Sequence, residues 1–143
     1  MLARFKTKGQ KIIPATKVNL AKYLLLAINF IIELLLGVGM LLAPGLIKLI
    51  GDVDIPTSLI QVCGLLALAV AFFSLSSIYL IDSSSHKAAT KKFCYQNLLV
   101  FNLALMVGLV YSAILGNINY FGAIVHAPLA GGFALAIYRT KAD

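Results

Sequence analysis

Charge is the first thing this sequence lacks. Only 12% of its 143 residues are charged, and five of them are acidic, whereas a soluble domain of this length exposes far more charge. A water-soluble globular domain is therefore excluded. The few acids include no paired carboxylates suited to hydrolysis. Cysteine is equally sparse: Cys63 and Cys94 stand alone, and there is no CxxC, CxxCH or HExxH spacing, which removes metal or redox chemistry by a recognised motif. Nucleotide-binding loops and nucleophile elbows are missing too. These absences point away from an enzyme and leave no catalytic or metal-ligating set.

Apolar length is what the chain has instead. Apolar residues make up 61% of it, and its mean hydropathy is +0.96. Crossing a hydrocarbon core of about 30 Å takes roughly 20 helical residues. Runs of that kind lie at about 22–43, 57–81, 95–115 and 119–138. They are too long for barrel strands and lack strict polar/apolar alternation, and a helix satisfies its own backbone in lipid. The predicted fold is all-α: an integral membrane protein with a four-transmembrane-helix bundle, one membrane domain over residues 1–143. In that frame Cys63 lies near the outer end of the second helix and Cys94 at the inner end of the third. They are separated by roughly 20 Å at about 1.5 Å per residue, well beyond the roughly 7 Å reach of a disulfide.

The twelve basic residues set orientation, because loops on the inner side retain Lys and Arg during insertion. The N-terminal tail holds Arg4, Lys6, Lys8, Lys11, Lys17 and Lys22; the loop between the second and third helices holds Lys87, Lys91 and Lys92; the C-terminal tail holds Arg139 and Lys141. Only Lys48 falls on the other side. Both termini are thus expected on the inner, matrix or cytoplasmic, side. The net charge of +7 reads as a topology signal with some attraction to lipid headgroups, and it argues against nucleic acid because the charges are divided among three short segments.

Residues 1–21 form a basic, acid-poor tail that resembles a mitochondrial targeting sequence in composition, but Gly9 and Pro14 interrupt any long amphipathic helix. A retained, surface-lying tail is the expectation. In the first outer loop Pro44 is suited to start a helix and Gly51 to stop one, which predicts an interfacial helix over 45–50. Its Leu46, Ile47, Leu49 and Ile50 would dip into lipid with Lys48 reaching up. Asp52 and Asp54 read as solvated loop charges, since two carboxylates make too few ligands for a metal. Gly116 and Asn117 make a tight turn that sets the third and fourth helices antiparallel. The segment "DSSSHKAATKKF" reads as a serine- or aspartate-capped helix start with His86 facing solvent.

A handful of polar groups interrupt the apolar runs: Asn29, Glu33, Gln61, Gln96, Asn97, Asn102 and His126. Such groups face protein or water because exposing them to lipid is costly. Counted along the helices, Glu33 lies about 16 Å and His126 about 18 Å from the inner end, while Asn29 and Asn102 each lie about 10 Å from it. Glu33 with His126, and Asn29 with Asn102, are therefore predicted to meet as one intramembrane polar cluster. Asn29, Glu33 and Gly37 share a stripe of the first helix. On the fourth helix Ala123, Ala127 and Gly131 form a small-residue stripe, and Gly122, His126, Ala130 and Ala134 form another. Such stripes let helices approach closely in lipid.

Three readings of Glu33 follow. It is a protonated or hydrogen-bonded anchor that fixes helix register; or a proton, quinone or lipid-facing site; or, with His126 or the amides, a ligand to a tetrapyrrole metal. No cofactor is predicted, and bound lipid is expected. The functional expectation is a non-catalytic accessory subunit of an energy-transducing membrane complex, with other membrane subunits as partners and the mitochondrial inner membrane as the favoured location. A bacterial cytoplasmic or thylakoid membrane is the alternative location. The alternative function is a small transporter or membrane ligand-binding protein centred on Glu33 and His126.

Overall fold

A computed structural model describes residues 23–51, 55–116 and 120–140. The basic tail to Lys22, the acids Asp52 and Asp54, the turn residue Asn117 and Lys141 lie outside the described residues. Within them the chain is helical, with no strand, in the order α1 (Leu24–Leu42), α2 (Pro44–Gly51), α3 (Thr57–Ser83), α4 (Lys87–Ile114) and α5 (Phe121–Arg139). Four of these, α1, α3, α4 and α5, are long and apolar enough to cross a membrane.

The punctuation falls where backbone chemistry places it. Ala43, ahead of proline, leaves helical geometry at φ −134° and ψ 54°, as a residue before proline tends to do. Pro44 then opens α2. Of the side chains expected to dip into lipid, Leu46, Leu49 and Ile50 are exposed, while Ile47 packs back toward α1 beside Gly39. The largest boundary difference is at α4, which starts at Lys87, eight residues before the apolar run that predicts it. The Ala88–Ala89 pair and the lysines are good helix formers and need no apolar face to continue the helix outward. The cap at this end also differs from the expectation. His86 is the N-cap and makes no side-chain cap; instead Ser84 Oγ accepts the His86 amide at 3.0 Å and pairs with Thr90 Oγ1 at 2.8 Å. His86 itself is exposed.

Helix α1 packs mainly on α3, and α4 mainly on α5. The first pair is close because both partners present glycine at the crossing. A Cβ placed on Gly37 would come within 2.9 Å of the Gly64 carbonyl oxygen and 2.8 Å of the Leu68 side chain; one on Gly64 would meet Met40 Cβ at 2.9 Å. Backbone meets backbone here. The buried side of α3 continues as Ala67, Ala71 and Ser74, small residues that keep α1 near along the seam, and then as Ile78 in the apolar core. A compact apolar core of Tyr23, Leu26, Ile78, Ile81, Cys94, Tyr95, Leu98, Leu129 and Phe133 closes one end of the bundle, with the Tyr95 and Phe133 rings tilted at a centroid distance of 5.6 Å.

The stripe Ala123, Ala127 and Gly131 of α5 runs from the interior of the bundle to its surface. Ala123 is buried, but Ala127 and Gly131 are exposed, and a Cβ on Gly131 would meet nothing within 4 Å. The inward face of α5 is Ala123, His126, Leu129, Ala130 and Phe133, because bulky Leu129 and Phe133 fill the core beside the polar His126. The outer surface is strongly apolar: Leu35, Leu42, Phe72, Val100 and Ile124 are each more than half exposed, the inverse of a water-facing surface.

The glycine crossing yields a stability prediction. Gly37→Ala is expected to weaken the bundle by about 1–3 kcal/mol through overpacking, whereas Gly131→Ala should change it by less than about 0.5 kcal/mol. Denaturant-driven unfolding in detergent micelles reads both, and equal effects would contradict the close approach.

Candidate functional site

The polar residues converge inside the bundle as a directed chain of hydrogen bonds, and its polarity can be worked out from both ends. On α3, Ser74 Oγ donates to the Val70 carbonyl at 3.0 Å. Its single hydrogen is thereby used, so the hydroxyl accepts from Asn29 Nδ2 of α1 at 2.8 Å. On α4, Asn102 Nδ2 donates to the Leu98 carbonyl at 2.9 Å and to Asn29 Oδ1 at 3.1 Å. Both of its hydrogens are now placed. Asn102 Oδ1 can only accept, and it lies 2.9 Å from His126 Nδ1 of α5. That nitrogen must carry the hydrogen. One unbroken path thus runs from His126 through Asn102, Asn29 and Ser74 to a backbone carbonyl, with a member on each of the four long helices.

Burial makes this path strong. Asn29, Ser74 and Asn102 are 0% exposed and His126 4%, so water does not compete for the same groups. The His126 ring is further held by Phe101, edge-on at a centroid distance of 6.5 Å.

Glu33 stands beside the path without joining it. Its Oε1 lies 3.7 Å from His126 Nδ1, too far for a hydrogen bond, and it is the one buried side-chain N or O atom among the described residues that has no hydrogen-bond partner. The hydrogen on Nδ1 is committed to Asn102, so Glu33 Oε1 could take it only by displacing Asn102. The anchoring hydrogen bond expected of this acid is therefore not made at Oε1. Glu33 and Asn102 compete for one donor.

All four residues assigned to the cluster, Asn29, Glu33, Asn102 and His126, are brought together. The exposed Gln61, Gln96 and Asn97 are not; Asn97 Nδ2 turns back to its own helix, donating to the Phe93 carbonyl at 2.8 Å. Sequence reasoning missed Ser74, whose place on the seam with Ala67 and Ala71 was the available signal, and Gly64. It also missed a second polar tie, Tyr23 OH donating to Asp82 Oδ1 at 2.6 Å, which joins the start of α1 to the end of α3. Among the described residues no three His, Cys, Asp or Glu side chains gather as a metal site; Glu33 and His126 stand as a pair.

Asn102 is the branch point, which makes it the residue to change. Asn102→Leu strands the Asn29 carbonyl oxygen and the His126 N–H in an apolar interior and should lower stability by about 1–2 kcal/mol, against about 0–0.5 kcal/mol for Asn97→Leu. Parallel unfolding curves in detergent test this, and equal costs would show that the path carries no stability.

No family model, curated protein or solved structure matches the chain, so its function has to be argued from its own geometry.

Proposed function

We propose that the protein is a non-catalytic accessory subunit of a larger energy-transducing membrane complex, inserted with both termini on the inner side. The observation that carries this reading is the internal hydrogen-bond path, which ties all four long helices together and engages their polar groups with one another. A polar layer of that kind specifies how helices pack and leaves little free for chemistry. The exposed Ala127 and Gly131 of α5 and Gly108 of α4 offer smooth outer surface on which a neighbouring subunit's helix could lie closely. The basic asymmetry of the sequence supports the orientation, and the mitochondrial inner membrane is the location its basic N-terminal segment favours.

Topology is checked by labelling cysteines introduced one at a time at Thr57 and Ser85, exposed residues at opposite ends of α3, in a Cys63→Ala background where the remaining Cys94 is buried. Ser85→Cys should react only from the inner side and Thr57→Cys only from the outer. Reaction of both from one side would remove the four-span arrangement.

A second reading is favoured by one specific observation, the unpartnered Glu33 Oε1 beside His126. In that reading the acid is a proton or ligand group inside the membrane. The two readings part at Glu33. For an accessory subunit, nearly all the protein should co-migrate with a much larger assembly on native gels in mild detergent. Glu33→Leu should leave both that band and stability intact, or raise stability by about 1 kcal/mol, because an unpartnered buried polar atom is removed. For the second reading, Glu33→Gln should abolish proton-linked activity while the fold persists. Migration only as a monomer would end the accessory-subunit proposal.

A further inference from the structure

The polar path is not the only built feature. A cleft of about 470 Å³ opens at the end of the bundle where α3 finishes, α4 begins and α5 finishes. Its polar wall carries three cations, Lys87 and Lys91 from α4 and Arg139 from α5, and among the described residues no carboxylate lines it. The electrostatics there are unrelieved. Lys87 and Lys91 are one helical turn apart and repel each other, and both sit in the opening turns of a 28-residue helix with no acid in its first turn and no side-chain cap. Cations are disfavoured at that position by the exposed N–H groups and the helix dipole. Arg139 closes α5 from the opposite direction.

A phenol faces the same space. Tyr95 lines the cleft, and the residue as a whole is 3% exposed. Its ring is occupied from above by Lys91, whose Nζ lies 5.4 Å from the centroid, which holds that cation over the cleft. The nearby acid, Asp82, is already engaged by the Tyr23 hydroxyl at 2.6 Å. Toward the bundle the wall turns apolar through Ile81 and Leu135. Three cations, the positive end of a long helix and a phenol on one cleft form a donor set complementary to a multi-oxygen anion.

The geometry points to a binding site for a phosphate-bearing anion in this cleft, held by Lys87, Lys91 and Arg139 with Tyr95 donating from beneath. That chemistry is shared by the headgroup of an anionic phospholipid and by a soluble phosphate compound. The apolar wall continues the site in the direction an acyl chain would take, and the lipid source rests on the membrane reading given above.

Thermal unfolding of the full-length protein in neutral detergent separates the sources. Short-chain phosphatidylglycerol at saturating concentration should raise the midpoint by about 5 °C, and phosphatidylcholine, with its zwitterionic, net-neutral headgroup, by far less. A full shift with inorganic phosphate alone would assign the site to soluble phosphates; a shift with phosphatidylglycerol alone would assign it to lipid. The paired change Lys91→Gln with Arg139→Gln should abolish the response, the paired charge-preserving change Lys91→Arg with Arg139→Lys should keep most of it, and Tyr95→Phe should weaken the apparent affinity several-fold. No shift of the unmodified protein by either probe, or an undiminished shift in the glutamine variant, would overturn the proposal. The readout needs no partner subunit, so its failure is distinct from failure of the accessory-subunit reading, which the native gel reports.

Discussion

The contact between Asn29 and Asn102 is the interaction on which the interior depends. It joins the α1–α3 pair to the α4–α5 pair, and its direction is imposed from outside itself. The Val70 carbonyl fixes Ser74, which fixes Asn29; the Leu98 carbonyl fixes Asn102. Backbone carbonyls cannot change role, so neither amide can flip without leaving two acceptors face to face. The tautomer of His126 follows from that chain of constraints. In lipid, where burying apolar surface gives helices little preference for one partner over another, such a direction-bearing polar layer supplies the specificity that hydrophobic packing cannot.

The layer in turn needs a particular helix separation. Asn29 reaches Ser74 at 2.8 Å because α1 and α3 are drawn together at Gly37 and Gly64, where a Cβ on either would come within 2.9 or 3.0 Å of the other's carbonyl oxygen. Asn29, Glu33 and Gly37 are spaced by four residues and so fall on one buried stripe. The glycine sets the distance, the amide uses it, and Glu33 between them is placed beside His126 by the same geometry. Packing and polar chemistry are one arrangement on this helix.

Much of this was legible in the sequence, and the limits are physical. Long apolar runs announce spanning helices through length alone, and converting residue number to depth placed Asn29 with Asn102 and Glu33 with His126, because a straight helix rises uniformly. Azimuth was legible only in part: of the second small-residue stripe on α5, His126 and Ala130 are buried. Residues spaced by four on α5 gave the stripe Ala123, Ala127 and Gly131, but the face that turns inward is chosen by Phe133 and Leu129, whose bulk had to fill the core, and by the partner waiting for His126. Ser74 was missed because one hydroxyl in an apolar run has the look of a helix-compatible small residue, bonded back to its own turn; its second role exists only once α1 is in place. The cleft could not be foreseen, since it lies between the start of α4, the end of α5 and the end of α3, and its shape depends on how those three helix ends splay.

Glu33 is the residue that packing alone does not explain. Ser74, Asn29, Asn102 and His126 each find partners, so their desolvation is offset by hydrogen bonds made in the same interior. Glu33 Oε1 is buried without one, and an unsatisfied buried group costs about 1–3 kcal/mol. A leucine would fill the space without that cost. The acid is therefore a local expense against the stability of an otherwise satisfied interior, and its position is not arbitrary: it lies 3.7 Å from the one nitrogen whose hydrogen Asn102 holds. Two acceptors around a single donor make an arrangement with two alternatives, one bonded through Asn102 and one through Glu33. Whichever holds, the other acceptor is left wanting, so adding a proton to the carboxyl or the imidazole would change which contact is preferred. The four amide, hydroxyl and imidazole groups account for why the helices pack as they do; the carboxyl, 3.7 Å from His126 Nδ1 and unpartnered at Oε1, is the one group of this interior that the packing leaves unsatisfied.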